Sequence, residues 1–378
     1  MAKKSIVLRG LTALLTFVFS LSIVTGVTLE AYKSTIDTNL GTQSEKFVSE
    51  STEADPLYNK FTPSAEVLNE DGTGNSHALI QKAMNLNRQQ AAEGAVLLKN
   101  ENNALPLASG SKVTLLGIRS HVPLVGSSFG VKAWGGFIDL EQALSQNKTD
   151  FANTITTSVN TNRKTGETTV GRTVSSWSGD EFEFEGAGYE INPTMVSIYE
   201  KLNETYNHAN NESPAEVYDP GEPSLAEIAA VDSSYESSFA KYGDASIVVI
   251  SRPSAESKDY LPGGIAEGLG ADEPLALTTN ERDIIETAKK ASEKVIVLVN
   301  TATAVEIGDL KNDPDIDAIL WIGFPGCYGM VGIADILCGR TSPSGGLPDI
   351  YPTYNMSAPA MQNMGKMYYT NTADVITR

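Results

Sequence analysis

The stretch Ser246-Ile-Val-Val-Ile250, running into Ser251-Arg-Pro-Ser-Ala-Glu-Ser-Lys-Asp-Tyr260, decides the fold. Its first half is a near-continuous apolar run, the pattern of a strand covered on both faces. Its second half gathers ionisable and turn-forming residues at the strand's carboxyl end. In an open α/β sheet the crevice beyond the carboxyl ends of the strands is where ligands bind. Arg252, Glu256, Lys258 and Asp259 are therefore the first candidates for function.

Three further runs have the same character: Val113 to Leu116, Val295 to Val299 and Ala318 to Trp321. Helical stretches separate them, most clearly Pro223 to Lys241, Thr278 to Ala291 and Tyr328 to Cys338. Another helix is expected from Ser76, leading into a short strand at Gly94 to Asn100. Alternation of strand and helix predicts an α/β fold, a largely parallel sheet sandwiched by helices. Residues 76–362 are assigned to this domain. Residues 147–182 break the pattern with Thr, Asn, Ser and Gly and no apolar period, and read as a surface insertion. Residues 32–75 are polar and weakly periodic, the composition of a linker. Residues 363–378 read as a tail or the start of a connection to a further domain.

Lys3, Lys4 and Arg9 precede Gly10 to Leu29, a run of 20 residues without a charge. That length spans a bilayer core as a helix, and basic residues before it predict a cytoplasmic N-terminus. The small residues near Ala31 make a poor cleavage site, so residues 1–31 are expected to form an uncleaved signal anchor. The rest of the chain would then be membrane-anchored and extracytoplasmic. A cleaved signal peptide and a secreted domain is the rival reading.

Composition narrows the function classes. A formal charge of −19 over 378 residues argues against a nucleic-acid phosphate backbone as partner. The two cysteines, Cys327 and Cys338, form neither a zinc pattern nor a disulfide framework. The three histidines, His77, His121 and His208, are scattered, and no metal is expected. Gly126-Ser-Ser-Phe-Gly130 matches neither phosphate-binding glycine pattern, so no nucleotide cofactor is expected either. Nearby, Trp134 precedes two glycines and suits either an aromatic platform for a sugar ring or a place in the core. The glycines and prolines of Gly323 to Gly329 and Gly339 to Asp349 read as tight turns.

Three segments carry a family resemblance. Ala91-Ala-Glu-Gly-Ala-Val-Leu-Leu-Lys-Asn-Glu-Asn-Asn-Ala-Leu-Pro-Leu107 resembles the start of the C-terminal α/β sandwich domain of family-3 glycoside hydrolases. Ile319-Leu-Trp-Ile-Gly-Phe-Pro-Gly-Cys-Tyr-Gly329 is similar to its pre-terminal strand and turn, and Ile333 to Asp349 to its closing Pro-Ser-Gly-x-Leu-Pro motif. The resemblance covers roughly residues 88 to 362. It implies a β-glucosidase-like activity that hydrolyses O-glycosyl bonds with retention, acting on a β-linked oligosaccharide or glycoside without a cofactor.

The resemblance also assigns roles. Members carry an Arg-x-Ser-x-Glu-x-x-Asp type loop after the corresponding strand, and its Glu is the usual general acid/base. Arg252-Pro-Ser-Ala-Glu-Ser-Lys-Asp259 is similar, with Glu256 at the acid/base position. Ser257 departs from the glycine of many members, and Lys258-Asp259 resembles the exoglucanase-like variant. Arg252, Lys258 and Asp259 would organise the loop or touch substrate, as would Trp134. Retaining hydrolysis needs two carboxyl groups about 5–5.5 Å apart. In the family the second belongs to an Asp on a (β/α)8 barrel, which needs about 250 residues. No such motif or eight-fold pattern occurs here, so the barrel is expected in cis downstream or in trans, and the isolated chain is expected to be inactive. The alternative reading is a non-catalytic, carbohydrate-binding or structural α/β domain.

Overall fold

The computed structural model describes residues 2–33, 66, 68–70, 74–126, 137–150, 155–161, 168–174, 181–206, 221–252, 275–351 and 353. The chain divides into two units, Met1–Pro63 and Ser64–Arg378.

In the first unit one helix, α1 (Ala2–Ala31), dominates. Its stretch Leu8–Ala31 is 24 residues long and contains an 18-residue window with a mean hydropathy of 2.0, none of it buried. That is long and apolar enough to cross a bilayer. The hydroxyls inside the apolar run are satisfied locally: Thr12, Thr16, Ser22 and Thr28 each donate to the carbonyl four residues earlier at 2.8–2.9 Å. Such back-bonding hides a polar group that hydrocarbon could not solvate.

The second unit holds the sandwich. Its elements in chain order are α2 (Ser76–Gly94), β1 (Val96–Asn100), β2 (Lys112–Leu116), α3 (Ile118–His121) and α4 (Leu140–Ser145). Next come β3 (Lys148–Asp150), β4 (Ile155–Thr161), β5 (Thr168–Val174), β6 (Glu181–Glu183), β7 (Glu190–Ile191) and α5 (Pro193–Tyr206). The last group is α6 (Leu225–Val231), β8 (Ala245–Arg252), α7 (Thr279–Ala291), β9 (Val295–Thr301), α8 (Gly308–Asn312), β10 (Ala318–Trp321) and α9 (Met330–Leu337). The main sheet has the order β1-β10-β9-β8-β2-β7. All its pairs are parallel except β1 with β10, so the sheet is mixed with one antiparallel edge.

Burial explains the apolar runs. Every residue of β8 and β9 is buried. Ile247, Val249, Ile296, Leu298 and Leu320 face one core, completed by α2, α4 and α9. Val248, Ile250, Val297, Val299 and Ile319 face the other, completed by α5, α6 and α7. A strand with helices on both sides has no polar face to alternate, which is why its sequence reads as a continuous run.

Two expectations change. The helix expected over Pro223 to Lys241 ends at Val231 and is followed by a short 3-10 turn at Tyr235–Ser238. Asp232 accepts from the backbone N–H of Ser234 at 2.8 Å and from its hydroxyl at 2.7 Å, an Asx turn that competes with the helical ladder. In the stretch read as an insertion, β3 pairs β6 and β4 pairs β5, both antiparallel, making two-stranded ribbons. The linker residues 34–65 and the tail from 354 onward lie outside the described residues.

One buried carboxylate ties the closing motif to the core. Asp335 on α9 accepts from Arg88 Nε at 2.5 Å and Nη2 at 2.7 Å, and from Arg340 Nε at 2.6 Å. Arg340 in turn donates to the carbonyls of Gly186 and Glu185 at 3.0 and 2.7 Å. The helices meet closely here, because a Cβ on Gly332 would stand 2.1 Å from the Arg88 carbonyl oxygen. Asp335→Asn leaves two guanidinium groups facing a neutral amide, and breaking such a pair from one side is strongly destabilising. The substitution should lower unfolding free energy by about 3 kcal/mol, read as a drop in the urea midpoint at unchanged slope. A change under about 0.5 kcal/mol would contradict the role given to Asp335.

Candidate functional site

Parallel strands bring their carboxyl ends to one edge of the sheet. β2 leads into Gly117, β8 ends at Arg252, β9 at Thr301 and β10 at Trp321. Arg252 pairs in register with Thr301, and Ser251 with Asn300. Glu256, Lys258, Asp259 and Trp134 lie outside the described residues. Arg252 is described, and its surroundings are informative.

The Arg252 side chain is fully buried. Its guanidinium faces Glu281 through two bonds, Nη1 to Oε1 at 2.6 Å and Nη2 to Oε2 at 2.9 Å. This is the bidentate geometry that a planar fork makes with a carboxylate. Nη1 also donates to the Ser251 carbonyl at 2.5 Å, and Nη2 to the Ala276 carbonyl. Ser251 and Ala276 flank residues 253–274 in the chain, so one side chain bonds the backbone on both sides of that segment.

Glu281 is held as firmly as the arginine it holds. It is 2% exposed and sits at the third position of α7. Thr278 caps that helix. Its hydroxyl accepts from the Glu281 N–H at 3.2 Å, while its own N–H donates to Glu281 Oε2 at 2.8 Å. This reciprocal capping box holds the carboxylate independently of the arginine. Sequence reading missed Glu281, although Thr278-Thr-Asn-Glu281 carries the capping signature at the start of a recognised helix.

A second buried carboxyl lies nearby. Glu222 precedes α6, is 6% exposed, and accepts from the Ile118 N–H at 2.8 Å. Tyr199 on α5 accepts from the Gly117 N–H at 2.8 Å and donates to Glu222 at 3.4 Å. Gly117 has φ 91°, and a Cβ there would stand 2.5 Å from the Val249 carbonyl oxygen, so only glycine fits this turn. Asn280 on α7 donates to the Glu222 carbonyl at 2.8 Å, which links this cluster to the helix that carries Glu281.

Asn300 at the end of β9 joins two more loops. Its Nδ2 donates to the carbonyls of Leu124 at 2.9 Å and Gly323 at 2.7 Å, and its Oδ1 accepts from the Leu124 N–H at 2.7 Å. The stems leaving β2, β8 and β10 are thus all fixed by buried polar side chains. Among the described residues, no group of three or more His, Cys, Asp or Glu side chains is placed to hold a metal ion.

A mixed, mostly parallel sheet between helices, with its polar machinery gathered at the carboxyl edge, defines an α/β sandwich of the kind that presents loops to a ligand. Residues 95–374 match the Glycosyl hydrolase family 3 C-terminal domain. The chain belongs to that family. It is 26% identical over 307 residues to Beta-glucosidase A of Butyrivibrio fibrisolvens, covering 77% of this chain and 31% of the relative. It is 24% identical over 319 residues to an exo-1,4-beta-xylosidase of Aspergillus niger, covering 80% of this chain and 30% of the relative. The chain therefore spans less than a third of the length of these two curated relatives. Among solved structures, a beta-glucosidase from Paenibacillus barengoltzii shares the fold with a TM-score of 0.53 at 23% identity, over 75% of this chain and 25% of that one. Beta-glucosidase 3B from Thermotoga neapolitana, solved with glucose, gives 0.51 at 23% identity, over 76% and 33%.

Burial also changes how the acids at this edge titrate. Desolvation pushes the Glu222 carboxyl up to about 8, against the opposing pull of the Ile118 N–H, and the nearby Glu281 raises it further. Desolvation likewise pushes Asp139, the N-cap of α4, up to about 7. Burial holds the Tyr199 hydroxyl well above its usual value. A carboxyl whose folded value is raised binds its proton more tightly when folded. The stability it contributes is complete below its unfolded value of 4.5 and is lost as pH rises through about 8. Between those limits Glu222 should lower stability by about 1.4 kcal/mol per pH unit. Glu222→Gln should remove that slope below about pH 8, while Asp139 contributes equally to both proteins. Urea melts of both proteins across this range test it, and parallel slopes would refute the buried, protonated Glu222.

Proposed function

We propose that this chain is the sandwich part of a retaining β-glycosidase and that Glu256 is its general acid/base. Family membership supports the reaction class, and the position of the loop supports the residue. Arg252-Pro-Ser-Ala-Glu-Ser-Lys-Asp259 leaves the carboxyl end of the central strand β8, where this kind of sheet presents ligand-binding loops. The observation that carries the reading is the fully buried Arg252, four residues before Glu256, bonded to backbone on both sides of the segment. A loop on so defined a base can present a side chain at a repeatable place. Arg252 belongs to the base of the loop and not to the substrate surface. Asp259 and Lys258 are proposed as loop organisers, and Trp134 as a sugar-stacking surface.

In the proposed mechanism Glu256, protonated, donates to the leaving glycosidic oxygen while a second carboxylate attacks the anomeric carbon. Glu256 then deprotonates the water that releases the sugar. That nucleophile is supplied by a (β/α)8 barrel, in cis or in trans. A closed cleft between two domains would raise the Glu256 carboxyl into the range an acid needs. α1 is proposed as a signal anchor that holds the sandwich on the extracytoplasmic side of a membrane, with secretion as the rival outcome.

The test is hydrolysis of an aryl β-glucoside by the chain together with its barrel. Glu256→Gln should lower kcat at least 100-fold, within the usual contribution of general acid/base catalysis. Turnover within a few-fold of wild type would remove Glu256 from the mechanism and leave a non-catalytic domain as the better reading. The chain without a barrel should be inactive on the same substrate, and robust turnover by it would place a nucleophile within these 378 residues.

A further inference from the structure

We propose that Glu222 is a proton-operated latch on the stem that leaves β2. While its carboxyl holds a proton, residues 117–122 stay docked. Ionisation releases them in a local opening that leaves the sheet intact. The inference is independent of the reading of Glu256.

The stem is built as a unit that can part from its surroundings. Gly117 and Ile118 follow the last residue of β2, and their N–H groups bond side chains rather than a neighbouring strand. Tyr199 Oη takes the first and Glu222 Oε2 the second, both at 2.8 Å. Inside the stem, the Ser120 N–H and hydroxyl both donate to the Gly117 carbonyl, at 2.9 and 2.7 Å, and the Val122 N–H donates to the Ile118 carbonyl at 3.1 Å. Beyond it, Asn300 holds Leu124 through both its N–H and its carbonyl. An opening hinged at Leu124 therefore keeps those bonds and the β2–β8 register. It gives up the bonds to Tyr199 and Glu222, and it lets water reach a carboxyl that is buried when the stem is docked.

The surroundings of that carboxyl decide how a proton controls the opening. Its two donors, the Ile118 N–H and the Tyr199 hydroxyl, are both neutral. Arg119 on α3 favours the ionised form and Glu281 on α7 opposes it, the latter already paired with Arg252 of β8. Tyr199 of α5 has Tyr235 beyond it, and Glu227 of α6 is turned back to the Ser224 N–H. Burial outweighs the donors and Arg119, so ionisation is penalised while the stem is docked, and entering water lifts the penalty. The docked carboxyl binds its proton more tightly than the open one. Opening is therefore favoured as pH rises, until the docked form itself ionises near 8. His121, at the end of α3 and near Glu200, acts in the other direction. Burial lowers its value from 6.5, so it promotes opening as pH falls below that value. Above about pH 7 Glu222 acts without it.

Amide hydrogen exchange on the 378-residue chain in detergent micelles tests the latch, read by mass spectrometry on peptides covering the stem and β9. Corrected for intrinsic exchange, the stem should open roughly 5- to 10-fold more often at pH 8.5 than at pH 7. That opening should not respond to urea below the unfolding transition, whereas β9 should exchange more slowly and with a strong urea dependence. Glu222→Gln keeps an acceptor for Ile118 and should reduce the rise to less than about twofold. Should that variant fail to fold, Tyr199→Phe removes the acceptor of Gly117 and leaves Glu222 in place. It should speed exchange of the stem at every pH and retain the rise. A stem that exchanges only with β9 and with its urea dependence does not open by itself. A stem without the rise, or a rise that persists in Glu222→Gln or disappears in Tyr199→Phe, is not latched by Glu222. Any of these results overturns the proposal.

Discussion

A guanidinium with no access to water must be neutralised where it stands, and at the end of β8 that requirement organises everything around it. Arg252 has no exposed atom to offer solvent. Placing such a charge in a dry interior without a partner costs several kcal/mol. Glu281 meets the need from the first turn of α7, and the arginine's spare donors take the Ser251 and Ala276 carbonyls. The sheet, the helix N-terminus and both flanks of residues 253–274 therefore share one electrostatic condition. An apolar pair of similar volume could fill the space as well, but it would leave the two carbonyls without donors. What the ion pair adds is orientation.

The same logic recurs around the carboxyl edge. Gly117 permits β2 to turn hard against the β8 backbone, which exposes its N–H and that of Ile118 to the interior. Buried N–H groups need acceptors, and Tyr199 and Glu222 supply them. Asn300 does the same for the loops leaving β2 and β10. Each loop stem is thus fixed by a side chain from a different element. The cost is borne by Glu222, which keeps its proton near neutral pH chiefly because burial strips its charged form of water, with the nearby Glu281 adding to the effect.

The sheet was legible in the chain because its strands are covered on both faces. Continuous runs at 113–116, 246–250, 295–299 and 318–321 leave little choice, and each is a strand. The helix ends were less legible. Nothing in the apolar period of residues 223–241 announces that Asp232 will bond Ser234 and stop the helix. The candidate site was legible only as a loop. Arg252 could be picked out as a charge at a strand end, but Glu281 lies far along the chain and Tyr199 and Glu222 further from Gly117 still. Their pairing is a consequence of packing order, not of local pattern. The capping signature at Thr278 to Glu281 was the one local signal, and it spoke of a helix start rather than of a partner for Arg252.

An acid/base that donates and then accepts a proton needs two things that pull against each other. Its carboxyl must be desolvated enough to hold a proton near neutral pH, and free enough to reach first the leaving oxygen and then a water. A residue inside β8 would meet the first condition alone, since every position there is packed. A residue on an untethered loop would meet only the second. The proposed acid lies a few residues along the chain beyond a fully buried arginine that Glu281 holds through two bonds. The strand and the helix cap fix the point from which that segment leaves the sheet. A nucleophile supplied by a separate barrel, as proposed, would follow the same division. The two carboxyls must differ in protonation state while standing about 5–5.5 Å apart, and separate scaffolds let each environment be set on its own.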